Sequence, residues 1–177
     1  VLKVSLKFDA KEKKNLPGLE NQGYWGFCMQ PSTVYKGSFY AKALKGGGPL
    51  KVGFKSTKGN EYLAQTTIEP VGSDWKKYNF ELRTPAANKA TTAAVFVITP
   101  EIPDTYWFNL VSVFPPTYHN RPNGNRKDIM QLLAGMKPSF LRLPGGNFLE
   151  GGNFANRFAW KNTLGPLENR AGHQGTW

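Results

Sequence analysis

Leu2-Lys-Val-Ser-Leu-Lys-Phe8 alternates apolar and polar residues, the period of a strand with one buried face. The same grammar predicts strands over Gly23–Met29, Val34–Ala43, Leu50–Ser56, Tyr62–Thr67, Lys76–Leu82, Ala93–Thr99 and Tyr106–Phe114. Turn signals separate them, among them Gly46-Gly-Gly-Pro49, Thr57-Lys-Gly-Asn60 and Pro100-Glu-Ile-Pro-Asp104, and Asp9 to Gln22 reads as a polar loop. Thr57-Lys-Gly-Asn60 is the clearest hairpin. About eight short strands at regular spacing predict a mainly β protein, an antiparallel β-sandwich of jelly-roll type.

Pro115 and Pro116 end that region, because consecutive prolines cannot continue a ladder. We expect a first domain from Val1 to Tyr118 and a second from His119 to Trp177. In the second, Ile129, Leu132 and Leu133 stand at i, i+3 and i+4, an amphipathic helix over Asn125–Ala134. Asn125 is the expected N-cap and Gly135 the expected C′ residue, with Pro138 blocking continuation. A short apolar strand is expected over Ser139–Leu143. Helix, loop and strand make half of a β-α-β unit. Gly152 to Trp177 reads as an ordered loop.

Composition narrows the class. At 40% apolar and 14% aromatic residues, the chain can build a core, which argues against global disorder. It has no run of about 18 apolar residues, so no transmembrane helix is expected. Val1-Leu-Lys-Val reads as a strand rather than a signal peptide. The net charge of +11 raises the question of a polyanionic partner. The lysines, however, alternate with apolar residues along the strands, as solvent faces do, so nucleic acid is not the favoured partner. Cys28 is the sole cysteine and sits in an apolar run, so a buried, inert thiol is expected. His119 and His173 lack metal-ligand spacing, and no metal or cofactor is expected.

The chemistry concentrates in Phe140-Leu-Arg-Leu-Pro-Gly-Gly-Asn-Phe-Leu-Glu-Gly151. Arg142 lies in a strand-like run, where burial demands a partner. It is read either as an arginine holding a carboxylate or as half of a structural ion pair. Two glycines then let the backbone turn before Asn147. Its amide suits sugar hydroxyls and equally suits a turn. Glu150 is read as a hydroxyl acceptor or as a partner of Arg157. Trp160 and Trp177 stack on sugar rings or fill a core. Asp128 fits a first-turn acid facing the helix dipole. Hydrolysis of a glycoside normally needs two carboxyl groups. Glu150 and Glu168 are the only acidic residues after Asp128, and neither stands in a catalytic context.

Three stretches carry a resemblance. They are Phe114-Pro-Pro-Thr-Tyr-His-Asn-Arg-Pro-Asn-Gly124, Lys137-Pro-Ser-Phe-Leu-Arg-Leu-Pro-Gly-Gly-Asn-Phe-Leu-Glu-Gly151 and Trp160-Lys-Asn-Thr-Leu-Gly-Pro-Leu-Glu-Asn-Arg170. They resemble α-L-arabinofuranosidases of glycoside hydrolase family 51 in their fungal and plant-like form. Upstream, Gly23-Tyr-Trp-Gly-Phe27 and Tyr35-Lys-Gly-Ser-Phe-Tyr-Ala-Lys42 resemble the family's β-sandwich, itself similar to a carbohydrate-binding module. The resemblance implies a retaining exo-hydrolase that removes terminal α-L-arabinofuranosyl groups from arabinan or arabinoxylan without a metal. It implies a β-sandwich followed by the α/β fragment of an incomplete (β/α)8 barrel, the sandwich being inserted after the first barrel strand. Arg142 and Asn147 fall on the motif's substrate-site residues, and Glu150 on its glutamate. The family's catalytic glutamates lie beyond the position of Trp177, so no catalytic residue is expected here.

The expected partners are an arabinose-containing polysaccharide or oligosaccharide and the remainder of a barrel. A membrane is not expected, and we expect a secreted protein. A stand-alone, lectin-like β-sandwich is the alternative, with Tyr24, Trp25, Tyr35 and Trp75 as candidate exposed aromatics. A basic polyanion- or nucleic-acid-binding protein is the third reading; its affinity would fall steeply with salt.

Overall fold

The structure, a computed structural model, describes residues 1–7, 16–59, 61–142, 153, 155 and 157–171. Two compact units emerge, Val1–Met130 and Gln131–Trp177. Asn147, Glu150 and Trp177 lie outside the described residues, as does the end of the strand expected at Ser139–Leu143.

The first unit contains β1 (Leu2–Ser5), β2 (Leu19–Asn21), β3 (Val34–Ala43), β4 (Leu50–Ser56), β5 (Tyr62–Ile68), β6 (Lys76–Arg83), β7 (Ala94–Pro100) and β8 (Thr105–Phe114). They form two four-stranded antiparallel sheets, ordered β1-β8-β3-β6 and β2-β7-β4-β5. This is the expected sandwich. Alternation along β6 buries Tyr78, Phe80 and Leu82 and exposes Lys77, Asn79, Glu81 and Arg83. The inward residues of both sheets interleave in an aromatic core. Phe39 meets Phe108 edge-on at 5.9 Å, and Phe80 stacks on Phe96 at 6.1 Å. Such pairs add about 0.5–1.5 kcal/mol each beyond area burial.

Two tyrosines show how this core keeps its polar atoms satisfied. Tyr106 donates its hydroxyl to the Ile102 carbonyl and accepts from the Gly48 amide. Tyr35 donates to the Cys28 carbonyl and accepts from the Gln30 amide. Burial pushes both phenols above their ordinary value. Tyr35, expected among the exposed aromatics, is therefore a core residue.

Gly23–Met29 is not a strand. Gly23 and Gly26 take positive φ (66° and 83°), and the Gly26 amide donates to the Gln22 carbonyl in a turn. Only Met29 retains a bridge, to Thr91. Cys28 is consequently exposed, not buried. The missed strand, β2, pairs with β7 from within the expected loop.

Helix α1 spans Lys127–Gly135. Asn125 is not its cap. A bridge between Thr117 and Arg126 holds the preceding backbone extended, and Arg126 supplies the first helical carbonyl, to Met130. At the other end Gly135 is still helical, and Lys137 takes the left-handed conformation (φ 47°). Among the described residues, 139–142 form no strand, because nothing pairs with their backbone. No helix among the described residues is long and apolar enough to cross a membrane.

Candidate functional site

Among the residues expected to bind substrate, Arg142 is exposed at the edge of the described region. Trp160 opens a 3-10 turn, Trp160–Thr163, and is 44% exposed. That turn is closed by the Thr163 hydroxyl donating to the Trp160 carbonyl at 2.6 Å. Further on, the Arg170 guanidinium places two N–H groups on the Gly165 carbonyl, at 3.1 and 2.8 Å. Asp128 sits in the first turn of α1 as expected, and its hydrogen bonds from Arg126 hold its carboxyl below the usual range. His119 lies edge-on to Tyr118 at 4.0 Å. Among the described residues no group of His, Cys, Asp and Glu side chains can hold a metal.

The sandwich carries a second candidate site. Period two sends Lys3, Lys42 and Trp107 to the outer face of the β1-β8-β3-β6 sheet. Register sets them in one row, Lys3 opposite Trp107 and Trp107 opposite Lys42. Trp75, just before β6, continues it. The Lys3 ammonium lies 5.5 Å from the Trp107 ring centre, and that of Lys42 lies 5.2 Å from Trp107 and 5.5 Å from Trp75. Each contact contributes about 0.5–1 kcal/mol at exposed positions.

The next row holds Asn109, Tyr40 and Lys77, with Lys77 5.7 Å from the Tyr40 ring. Ser112, Ser38 and Asn79 follow. A bulge in β8 keeps these rows on one face, since two residues, Leu110 and Val111, stand opposite Phe39. Beyond them the segment after β8 walls a cleft of about 430 Å³, whose lining includes Ser38, Lys77, Asn79, Asn120 and Arg121. No Asp or Glu lines it.

The sequence exposed the parts of this face but not their assembly. Lys42 and Trp107 each alternate correctly within their strands, yet only the register of β3 against β8 makes them neighbours. A larger cleft, of about 780 Å³, borders the other sheet, and its lining includes Glu20, Trp25, Lys55 and Lys58.

Comparison with known proteins gives this architecture its class. A family model described as the α-L-arabinofuranosidase 1 domain matches residues 132–177. A probable α-L-arabinofuranosidase A of Aspergillus terreus is 35% identical over 177 residues, covering 98% of this chain and 28% of the relative. α-L-Arabinofuranosidase 1 of Arabidopsis thaliana is 34% identical, with 98% and 26% covered. A solved structure, an arabinose-bound family 51 α-L-arabinofuranosidase, superposes with a TM-score of 0.76 at 36% identity. That match covers 90% of this chain and 27% of the solved one. Sandwich, helix and matches together place the similarity among glycoside hydrolases. More particularly, the chain is similar over nearly its whole length to the N-terminal portion of the α-L-arabinofuranosidases of glycoside hydrolase family 51. It spans about a quarter of the length of the relatives it matches, 28% and 26% in these two cases.

Proposed function

We propose that the chain is the front part of a retaining, exo-acting α-L-arabinofuranosidase that acts on terminal α-L-arabinofuranosyl groups of arabinan or arabinoxylan. Residues from Val1 to Tyr118 form its sandwich module, and His119 to Trp177 begin its catalytic barrel. One observation carries this reading: similarity to arabinofuranosidases runs over 98% of the chain, through both the sandwich and the motif region.

The exposed side of the helix region supports it. Ile129, Leu132, Leu133 and Met136 are 46%, 74%, 40% and 69% exposed. Apolar exposure on that scale suits burial against a partner, here the remainder of a β/α barrel. Within this reading Arg142, Asn147 and Glu150 contact the substrate, and Trp160 and Trp177 stack on sugar. Polysaccharide substrates cannot cross a membrane, so the reading also places the protein outside the cell.

A retaining glycosidase needs two carboxyl groups about 5–5.5 Å apart. After Asp128 the sequence offers only Glu150 and Glu168, and we assign neither to catalysis. The test combines intact mass under denaturing conditions with hydrolysis of 4-nitrophenyl α-L-arabinofuranoside. A homogeneous 19.7 kDa chain is expected to give no turnover, and a longer species carrying the rest of the barrel is expected to be active. Turnover by the homogeneous 19.7 kDa chain would overturn the assignment.

A second reading, a sandwich that recognises carbohydrate without hydrolysing it, is favoured by the row Lys3, Trp107, Lys42 and Trp75.

A further inference from the structure

We infer that the outer face of the β1-β8-β3-β6 sheet binds a carboxylate-bearing polysaccharide, with its tryptophans stacking on sugar rings and its lysines pairing with sugar carboxylates. The inference deepens the carbohydrate-recognition reading above and rests on it for the word sugar. The requirement for carboxylate is new.

Three observations converge on it. The first is the alternation of cation and ring. Lys3 and Lys42 flank Trp107, and Lys42 also lies over Trp75. Strands about 4.8 Å apart put the two ammonium-bearing positions roughly 10 Å apart. A purely structural ladder needs no such placement, and a neutral sugar gains nothing from the ammonium groups that an amide would not supply.

The second is the imbalance of charge. Lys36 and Arg83 on this face pair with Glu81. Among the described residues, Lys3, Lys42 and Lys77 form no ion pair. A row of ammonium groups is mutually repulsive and is relieved by an anion of matching spacing. Ring contacts alone hold them meanwhile.

The third is the continuity of the face. From Lys42 to Lys36 along β3 is roughly 20 Å at about 3.3 Å per residue. The path passes Asn109, Ser38, Ser112 and Asn79, whose amides and hydroxyls donate to and accept from sugar hydroxyls. It ends in the cleft where Lys77 and Arg121 stand without an acidic neighbour in the lining. Tryptophans in one row, with amides and hydroxyls in the rows that follow, distinguish a glycan surface from a plain polyanion surface, which would need cations alone. The larger cleft on the other sheet is the weaker candidate, since Glu20 repels a carboxylate there.

The test uses the whole chain and two oligogalacturonates of equal length, one fully de-esterified and one fully methyl-esterified, with binding followed by calorimetry. The two probes share their sugar rings and differ only in charge. The acid is expected to bind at least about tenfold more tightly, the scale of one to two charge-assisted contacts. Lys3→Gln, Lys42→Gln and Lys77→Gln together should remove that preference while leaving the residual affinity for the ester. Trp107→Ala should weaken both probes, and Trp107→Tyr, which keeps a ring, should restore them. The Tyr variant also controls for folding. Equal affinity for acid and ester would overturn the requirement for carboxylate and leave a neutral glycan surface. Absence of binding to both would overturn the site. Duplex DNA bound as tightly as the acid, and unaffected by Trp107→Ala, would make the face a general polyanion surface and also overturn the inference. No bond is cleaved in this experiment, so its failure leaves the arabinofuranosidase reading standing, and that reading fails only in the turnover assay.

Discussion

Asn109 and Ser112 stand three positions apart in β8 yet face the same side of the sheet, opposite Tyr40 and Ser38 respectively. Strict alternation would send them to opposite faces. Leu110 absorbs the difference by taking a positive φ of 49°, and its amide is held by the Asn109 side-chain oxygen at 3.0 Å. A leucine in this region is strained by about 1–2 kcal/mol, which the bulge accepts to keep the polar face continuous. Leu110→Ile is therefore expected to destabilise the protein by about 1–2 kcal/mol although it conserves volume, because a β-branched residue tolerates that backbone worst. Equilibrium urea unfolding measures it. An unchanged midpoint would mean that the bulge is not strained.

Gly37 faces the core from β3, and a Cβ there would lie 2.3 Å from the Phe80 ring and 2.8 Å from the Ser112 carbonyl. Gly37→Ala is expected to cost about 1–3 kcal/mol as overpacking. Phe80→Leu should recover part of that cost, since it clears the ring but not the carbonyl. A double-mutant cycle should then show favourable coupling of about 0.5 kcal/mol or more. Additive effects would mean that the backbone, rather than the ring, sets the limit.

Tyr35 and Tyr106 give the molecule an alkaline limit. Burial raises both phenols above their ordinary value of 10.0. The folded state thus prefers the neutral phenol more strongly than the unfolded chain does. Their contribution is fully present below about pH 10 and is lost as pH rises from there through the folded values. Melting temperature should fall above that pH. The Tyr35→Phe/Tyr106→Phe variant should start lower at neutral pH, by about 1–3 kcal/mol per stranded pair of backbone groups, but decline less steeply. Parallel curves for the two proteins would assign the alkaline loss to other groups.

Cys28 offers a simple check on the turn at Gly23 and Gly26. Its sulfur accepts from the Gln30 side chain at 3.4 Å, and the residue is exposed. In native buffer an aromatic disulfide reagent should titrate one thiol per chain without unfolding it. Protection until denaturant is added would restore the buried strand that the apolar run first suggested.

The strands that are long and strictly alternating were legible to the residue. Val34–Ala43 and Leu50–Ser56 occur in the structure with the bounds that periodicity predicts. Misreading began where local chemistry opposes pattern. Tyr24-Trp-Gly-Phe27 is as apolar as a strand, but two glycines at positive φ turn it, leaving Tyr24 and Trp25 88% and 84% exposed. Leu19–Asn21 is too short for any period, and its strand exists only because β7 offers a free edge. Helix α1 was legible from its apolar spacing, whereas its ends were not. A bridge to Thr117 and a left-handed Lys137 set them, and neither follows from the capping residues. The charged face was illegible for a deeper reason. The residues that meet there come from β1, β3, β6 and β8, and cross-strand register is a property of the folded sheet, not of any window of sequence.

The adjacency of β1 and β8 reaches beyond the sheet they share. The first strand of the sandwich pairs antiparallel with the last, Leu2 against Phe108, so the chain arrives and departs at the same end of one sheet. A module with neighbouring ends is a closed detour: a host polypeptide can carry it without parting the two points from which it leaves and to which it returns. The same geometry makes the sandwich suited to circular permutation, with a short linker across β1 and β8 and new ends at an exposed turn such as that around Gly59.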